Sequence, residues 1–171
     1  MLISIGAVIL LGTILLTTNR GIEGSTQVLL DTGYGIDAVS LATSTIERAE
    51  GLAFDENTRD DTTGSLVSLS QLTSPANLGQ EDGDSTDFDD YDDFNGPTDG
   101  PNSFLIESDT LPTGSIYDIK TEVHYVYRTN SGDIVMTTTT PTWSKQLDVW
   151  VWNVATPGDT VHMTDVFSYW Y

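Results

Sequence analysis

A seventeen-residue run without a single charge opens the chain, and it sets the first condition that any fold must meet. Residues 1–17 read MLISIGAVILLGTILLT. Wound as an α helix, such a run extends about 26 Å, close to the roughly 30 Å hydrocarbon core of a bilayer. Everything after Arg20 is polar, acidic and rich in threonine. The apolar run therefore has to be covered by lipid or by protein.

Three readings of this run are open. A cleaved signal peptide needs a basic leading region and a small-residue cleavage site, and neither is present. A permanent anchor for a surface domain is the second. The third is a helix that starts in a membrane and later packs against copies of itself. Gly6 and Gly12, with Ser4 and Thr13, suit close approach of helix backbones, although membrane helices are enriched in glycine in any case.

Charge removes other classes. The chain has 171 residues, no cysteine, and a formal net charge of -20 with only six Lys and Arg. Disulfides, thiolate metal sites and a cysteine nucleophile are excluded. A nucleic-acid partner would be repelled. The length suits one domain, with a surface rich in carboxylates.

The pattern then divides at about residue 25. Residues 17–26 are polar and carry Gly21 and Gly24, each costing a helix about 1 kcal/mol relative to alanine; they mark a predicted helix break. Over 26–54 a helical period returns through Val39, Ala42, Ile46, Ala49 and Ala53. Asp37, Glu47, Arg48 and Glu50 lie off that stripe. The predicted organisation is an apolar segment over 1–25 and a head over 26–171. The head comprises the amphipathic helix half, an acidic loop region over 55–118 and a sheet over 119–171.

Within the loop region, residues 65–72 alternate weakly, as a short strand or a loop, and Leu111 to Gly114 reads as a turn. The sheet is clearer. Residues 119–128, 134–140, 145–154 and 160–171 are rich in β-branched and aromatic residues. Turns are expected at Asn130 to Asp133 and at Thr156 to Asp159. Four strands in this order predict an antiparallel meander with one face on the amphipathic helix. The predicted class is α+β: a long N-terminal helix, apolar and then amphipathic, packed on a C-terminal antiparallel sheet.

Several side chains could carry chemistry. Eight carboxylates lie between Glu81 and Asp93. Asp82, Asp84, Asp87, Asp89 and Asp90 offer clustered hard oxygen ligands for calcium, without matching an EF-hand loop. A charge run of this kind is more often a solvated, outward-facing loop. His124 and His162 fall in strands with no metal spacing and no nucleophile beside them, so each reads as a packed or surface histidine and no enzyme is expected. Trp150 and Trp152 share one strand face, and Val149 and Val151 the other. With Trp143 and Trp170, the tryptophans suit core packing or a subunit interface. Thr137 to Thr140 and Thr142 suggest an O-glycosylated outer strand.

The opening MLISIGAVILLGTILL, the run DFDDYDDFNG at Asp87 to Gly96 and the closing VFSYWY together resemble the type IV pilin family and its secretion-system relatives. The second run is similar to an acidic loop of mannose-sensitive haemagglutinin-type pilins. The resemblance implies a major pilin that polymerises into an extracellular filament for adhesion, motility or attachment; a minor pilin or secretion pseudopilin is the variant, and a monomeric anchored binding module the different class. It further implies partners in the prepilin peptidase, the inner-membrane assembly machinery and further copies of the chain. The inner membrane would hold the subunit before assembly. Met1 would be the residue left by leader removal, and a methylation site. The filament core would be built from Met1, Leu2, Ile5, Val8, Ile9, Leu10, Leu11, Ile14, Leu15 and Leu16. Most bacterial pilins carry glutamate at the fifth mature position, where this chain has Ile5. No resident cofactor is implied beyond the calcium candidate.

Overall fold

The computed structural model describes residues 10–11, 13–15, 32–59, 68–80, 88–96 and 104–169. Two compact units are present, residues 1–37 and 38–171. In the first, residues 10–11 and 13–15 are helical. The expected helix break at Gly21 and Gly24, and the modification site at Met1, lie outside the described residues.

The architecture corrects the predicted one. A five-stranded antiparallel sheet dominates, and the main described helix, α1, covers only residues 32–50. The expected long N-terminal helix, apolar and then amphipathic, packed on a sheet, is not what the chain forms. Among the described residues no helix is long and apolar enough to cross a membrane. Period alone overextended α1 at its C-terminal end. Gly51 follows its last turn, donating its amide to the Glu47 carbonyl, and the chain then bends into Phe54 and Asp55. The buried stripe follows the expected face at Ala42 and Ala49, with Ile46 half-buried, but takes Ala38 in place of Val39. Ala38, Ala42 and Ala49 are buried, while Val39 is exposed. A row of alanines lets the helix backbone come close to its neighbours, which a row of larger side chains would prevent.

The strands are β1 (Leu105–Thr110), β2 (Ile116–Arg128), β3 (Ile134–Thr137), β4 (Ser144–Asn153) and β5 (Thr160–Ser168). Four of them fall where alternation and turn residues put them. β1 was hidden in the unread part of the loop region. The order is β1-β2-β4-β5, with β3 paired to β2, so the expected meander is corrected as well. β4 lies against β2 from Tyr117 to Tyr125, whereas β1 and β3 pair with Ile116–Thr121 and Tyr125–Arg128. β1 and β3 thus share the opposite edge of β2, end to end. The thirteen-residue β2 is long enough to serve both.

Alternation decides what is buried. Tyr117, Ile119, Thr121, Val123 and Tyr125 of β2, with Lys145, Leu147, Val149, Val151 and Asn153 of β4, face inward. Each apolar member contributes about 1.5–3 kcal/mol by leaving water. Beyond them Phe54, Leu72, Leu78 and Tyr125 form a cluster joined by Leu69, Trp143, Phe167 and Tyr169. One inward member is a lysine, and the rest of the inner face has to accommodate it.

A buried lysine and carboxylate cluster

Lys145 stands at an inward position near the start of β4 and is fully buried. Its Nζ donates to the Phe54 carbonyl at 2.7 Å and to Asp55 Oδ2 at 2.9 Å, and it contacts Asp92 Oδ1. The Phe54 and Tyr125 rings lie 4.7 and 5.2 Å from Nζ. A lysine of this kind is sustained only where carboxylates offset its lost hydration.

Asp55 is held by local structure. It caps a short 3-10 helix, Glu56–Thr58, accepting from the Asn57 amide. Thr73 adds its amide at 3.1 and 3.0 Å to the two carboxylate oxygens and its hydroxyl at 3.1 Å to Oδ1. The Tyr125 hydroxyl lies 3.0 Å from Oδ2 and 2.8 Å from the Thr73 carbonyl. Burial pushes the Asp55 pKa up. Lys145 and these donors outweigh it, and the carboxyl is held below its ordinary value.

The other carboxylates come from the acidic run. Ala53 and Asp90 form a parallel bridge, with the Tyr91 amide on the Ala53 carbonyl at 2.9 Å. The segment then enters the interior. Asp90 Oδ1 accepts from the amides of Asp92 and Asp93, and Asp93 Oδ2 from those of Asp89 and Asp90. Asn95 locks the end, donating to the Leu78 carbonyl and accepting from the Val123 amide, while Thr121 donates to the Phe94 carbonyl. Asp90, Tyr91, Asp92, Asp93, Phe94 and Asn95 are all buried. The expectation of an outward acidic loop is therefore corrected for residues 90–93: self-capped aspartates and two aromatic anchors turn a charged string inward.

So many buried carboxyls cannot all be ionised beside one lysine. Burial, and then the charge of Asp92, pushes Asp90 up to about 9. Asp92 is likewise raised by burial, against the pull of Lys145. Oδ2 of Asp90 and Oδ2 of Asp92 are buried without a hydrogen-bond partner among protein atoms. Burial alone would lower the Lys145 pKa; Asp92, Asp55 and Asp90 outweigh it and hold it above its ordinary value. Lys145 is ion-paired with Asp55 and with Asp92, and Asp90 lies next to them as the acid whose pKa is raised through the neutral range.

Of the calcium candidates, Asp82, Asp84 and Asp87 lie outside the described residues. Asp89 pairs with Arg59, and Asp90 turns inward. Among the described residues no group of three or more side chains is arranged to hold a metal ion. The histidines sit on the outer sheet face. His162 stacks on Trp150 at 4.7 Å and lies 2.9 Å from Asp148 Oδ1; His124 lies 3.4 Å from Glu122. Trp143 stacks on Tyr169 at the core margin. Leu10, Leu11, Ile14 and Leu15 are 52–63% exposed.

Sequence reasoning missed Lys145, Asp55, Asp92 and Tyr125. One signal was present: in the alternation of β4, Lys145 occupies the same face as Leu147, Val149 and Val151. A lysine in phase with a buried row implies buried acids elsewhere. Comparison with protein-family models, with curated proteins and with solved structures found no match to this chain.

Proposed function

We propose that the chain is a structural subunit that polymerises through its N-terminal apolar segment into an extracellular, type IV pilus-like filament. The observation that carries this reading is the exposure of Leu10, Leu11, Ile14 and Leu15 on helical residues. Spacings of one, three and four place these side chains on one face of a helix, across an arc of about 140°. Four leucine and isoleucine side chains in water are unfavourable by about 1.5–3 kcal/mol each, and a membrane followed by a bundle of copies covers them in turn. In this reading the inner membrane holds the subunit before assembly, a prepilin peptidase and assembly machinery act on it, and the sheet-bearing head forms the outer surface.

Transfer from lipid to other helices adds little apolar gain. Dispersion and shape fit among many copies then hold the polymer. Electron microscopy of cell-surface filaments, with mass spectrometry of their subunit, tests the proposal. Filaments made of this chain support it. Finding the chain only as a membrane-embedded monomer overturns it in favour of an anchored surface module.

A further inference from the structure

We propose that Lys145 and Asp92 condense into an intramolecular amide, a covalent cross-link between β4 and the acidic segment. The nucleophile and electrophile are already in contact, since Nζ touches Asp92 Oδ1. Both side chains are buried to 1% exposure or less, which keeps out the water that would reverse the reaction. Asp92, rather than Asp55, is the acyl donor. Both Asp55 oxygens are held by several donors, so losing either would strip the cap and the Thr73 contacts. Asp92 Oδ2 has no donor among protein atoms, and can leave with least disturbance.

The neighbours supply the proton transfers. The Asp55 carboxylate, 2.9 Å from Nζ, takes one proton from the ammonium and frees the nitrogen lone pair. Transfer of the Asp90 proton to Asp92 makes that carboxyl a neutral acid and leaves Asp90 a carboxylate. The nitrogen pair forms the N–Cγ bond, and the carbonyl π pair moves onto oxygen. Asp90 removes a second proton from nitrogen and hands it to the Asp92 hydroxyl. The C–O bond breaks, water leaves and the carbonyl re-forms. Of the three ammonium protons, one rests on Asp55, one leaves in water and one stays on the amide; the proton first held by Asp90 leaves in the same water, and Asp90 ends as a carboxylate. No oxidant or co-reactant is needed. The driving force is removal of a buried cation and a buried acid that are costly to keep dry. The bond requires only the folded head and does not depend on filament assembly.

Mass spectrometry of the purified full chain decides the matter. A proteolytic digest should give a branched peptide joining the Lys145 and Asp92 segments, one water lighter than their sum, and Lys145→Arg should abolish it. Asp90→Asn keeps the side-chain oxygen that caps the Asp92 and Asp93 amides. After refolding it should form the link about a hundredfold more slowly, for want of the relay. Full-mass, unlinked peptides from the wild-type protein would overturn the proposal. So would water lost within a single segment, as a succinimide. An unchanged linking rate in Asp90→Asn would overturn the relay.

Discussion

Lys145 shows how one residue organises an interior. Its ammonium has no water, so three polar contacts replace hydration, and two of them are carboxylates. Removing the cation leaves Asp55 buried with nothing to balance it. Relative to the chain in which Lys145 and Asp92 are not yet linked, Lys145→Ala should therefore lower the unfolding free energy by about 3–5 kcal/mol, read as a shift in urea midpoint at constant slope; a loss under about 1 kcal/mol would contradict the ion-pair account. The same groups set the pH response of that unlinked chain. Asp55 is held below the ordinary 3.8, so its contribution is present above that value and lost as pH falls through the folded pKa. Asp90 has the opposite sign. Its pKa rises from 3.8 to about 9, so the native state keeps a proton that the unfolded chain releases. That contribution is full below 3.8 and is lost as pH rises toward 9. Between neutrality and that value, stability should decline by about 1.4 kcal/mol per pH unit for one proton. Asp90→Asn should flatten this limb in denaturation curves taken across the range, and an unchanged slope would assign the decline to other groups.

At the scale of elements, the acidic segment behaves as a plug against the sheet. Its exit depends on Gly96, whose φ of +71 falls in the left-handed region and whose added Cβ would stand 2.6 Å from the Phe104 carbonyl oxygen. Gly96→Ala should cost about 1–3 kcal/mol, seen as a lowered melting temperature; no change would mean that the Phe104 strand yields freely. This segment also marks where the sequence was readable and where it was not. Alternation in β2, β4 and β5 and the glycine turns revealed the strands, because a half-buried sheet imposes a period of two. Gly114 and Gly132 take the positive φ that those turns require. Pairing order was not legible. β3 is adjacent in sequence to both β2 and β4, yet β4 bonds directly to β2, a choice made by the packed face rather than by loop length. Helix length was overread at the C-terminal end because the period runs on through Ala53, while the chain leaves the helix at Gly51 and Ala53 bridges to Asp90 instead. The acidic plug was read as surface because its burial rests on backbone amides and one distant lysine, which no local window contains.

At the scale of the whole molecule, exposed leucines on residues 10–15 and a strongly acidic chain suit a polymer whose apolar segments are inside and whose charges meet water. A net charge of -20 per subunit repels along such a polymer, and salt screens it over about 10 Å at 0.1 M. Filaments should therefore bundle more readily as salt rises, which light scattering measures; salt-independent bundling would place the charge away from the contacting surfaces. Leu11→Asp separates assembly from folding, since Leu11 is exposed in the subunit and its replacement should leave the melting of the head unchanged. A carboxylate there would be buried unpaired in a bundle, at several kcal/mol. The most direct measurement is electron microscopy of cells making the wild-type chain or Leu11→Asp, with mass spectrometry of what is on their surface. The filament account predicts filaments of this subunit in the first and none in the second. Filaments unaltered by Leu11→Asp, or a wild-type chain found only as membrane-embedded monomer, would contradict it.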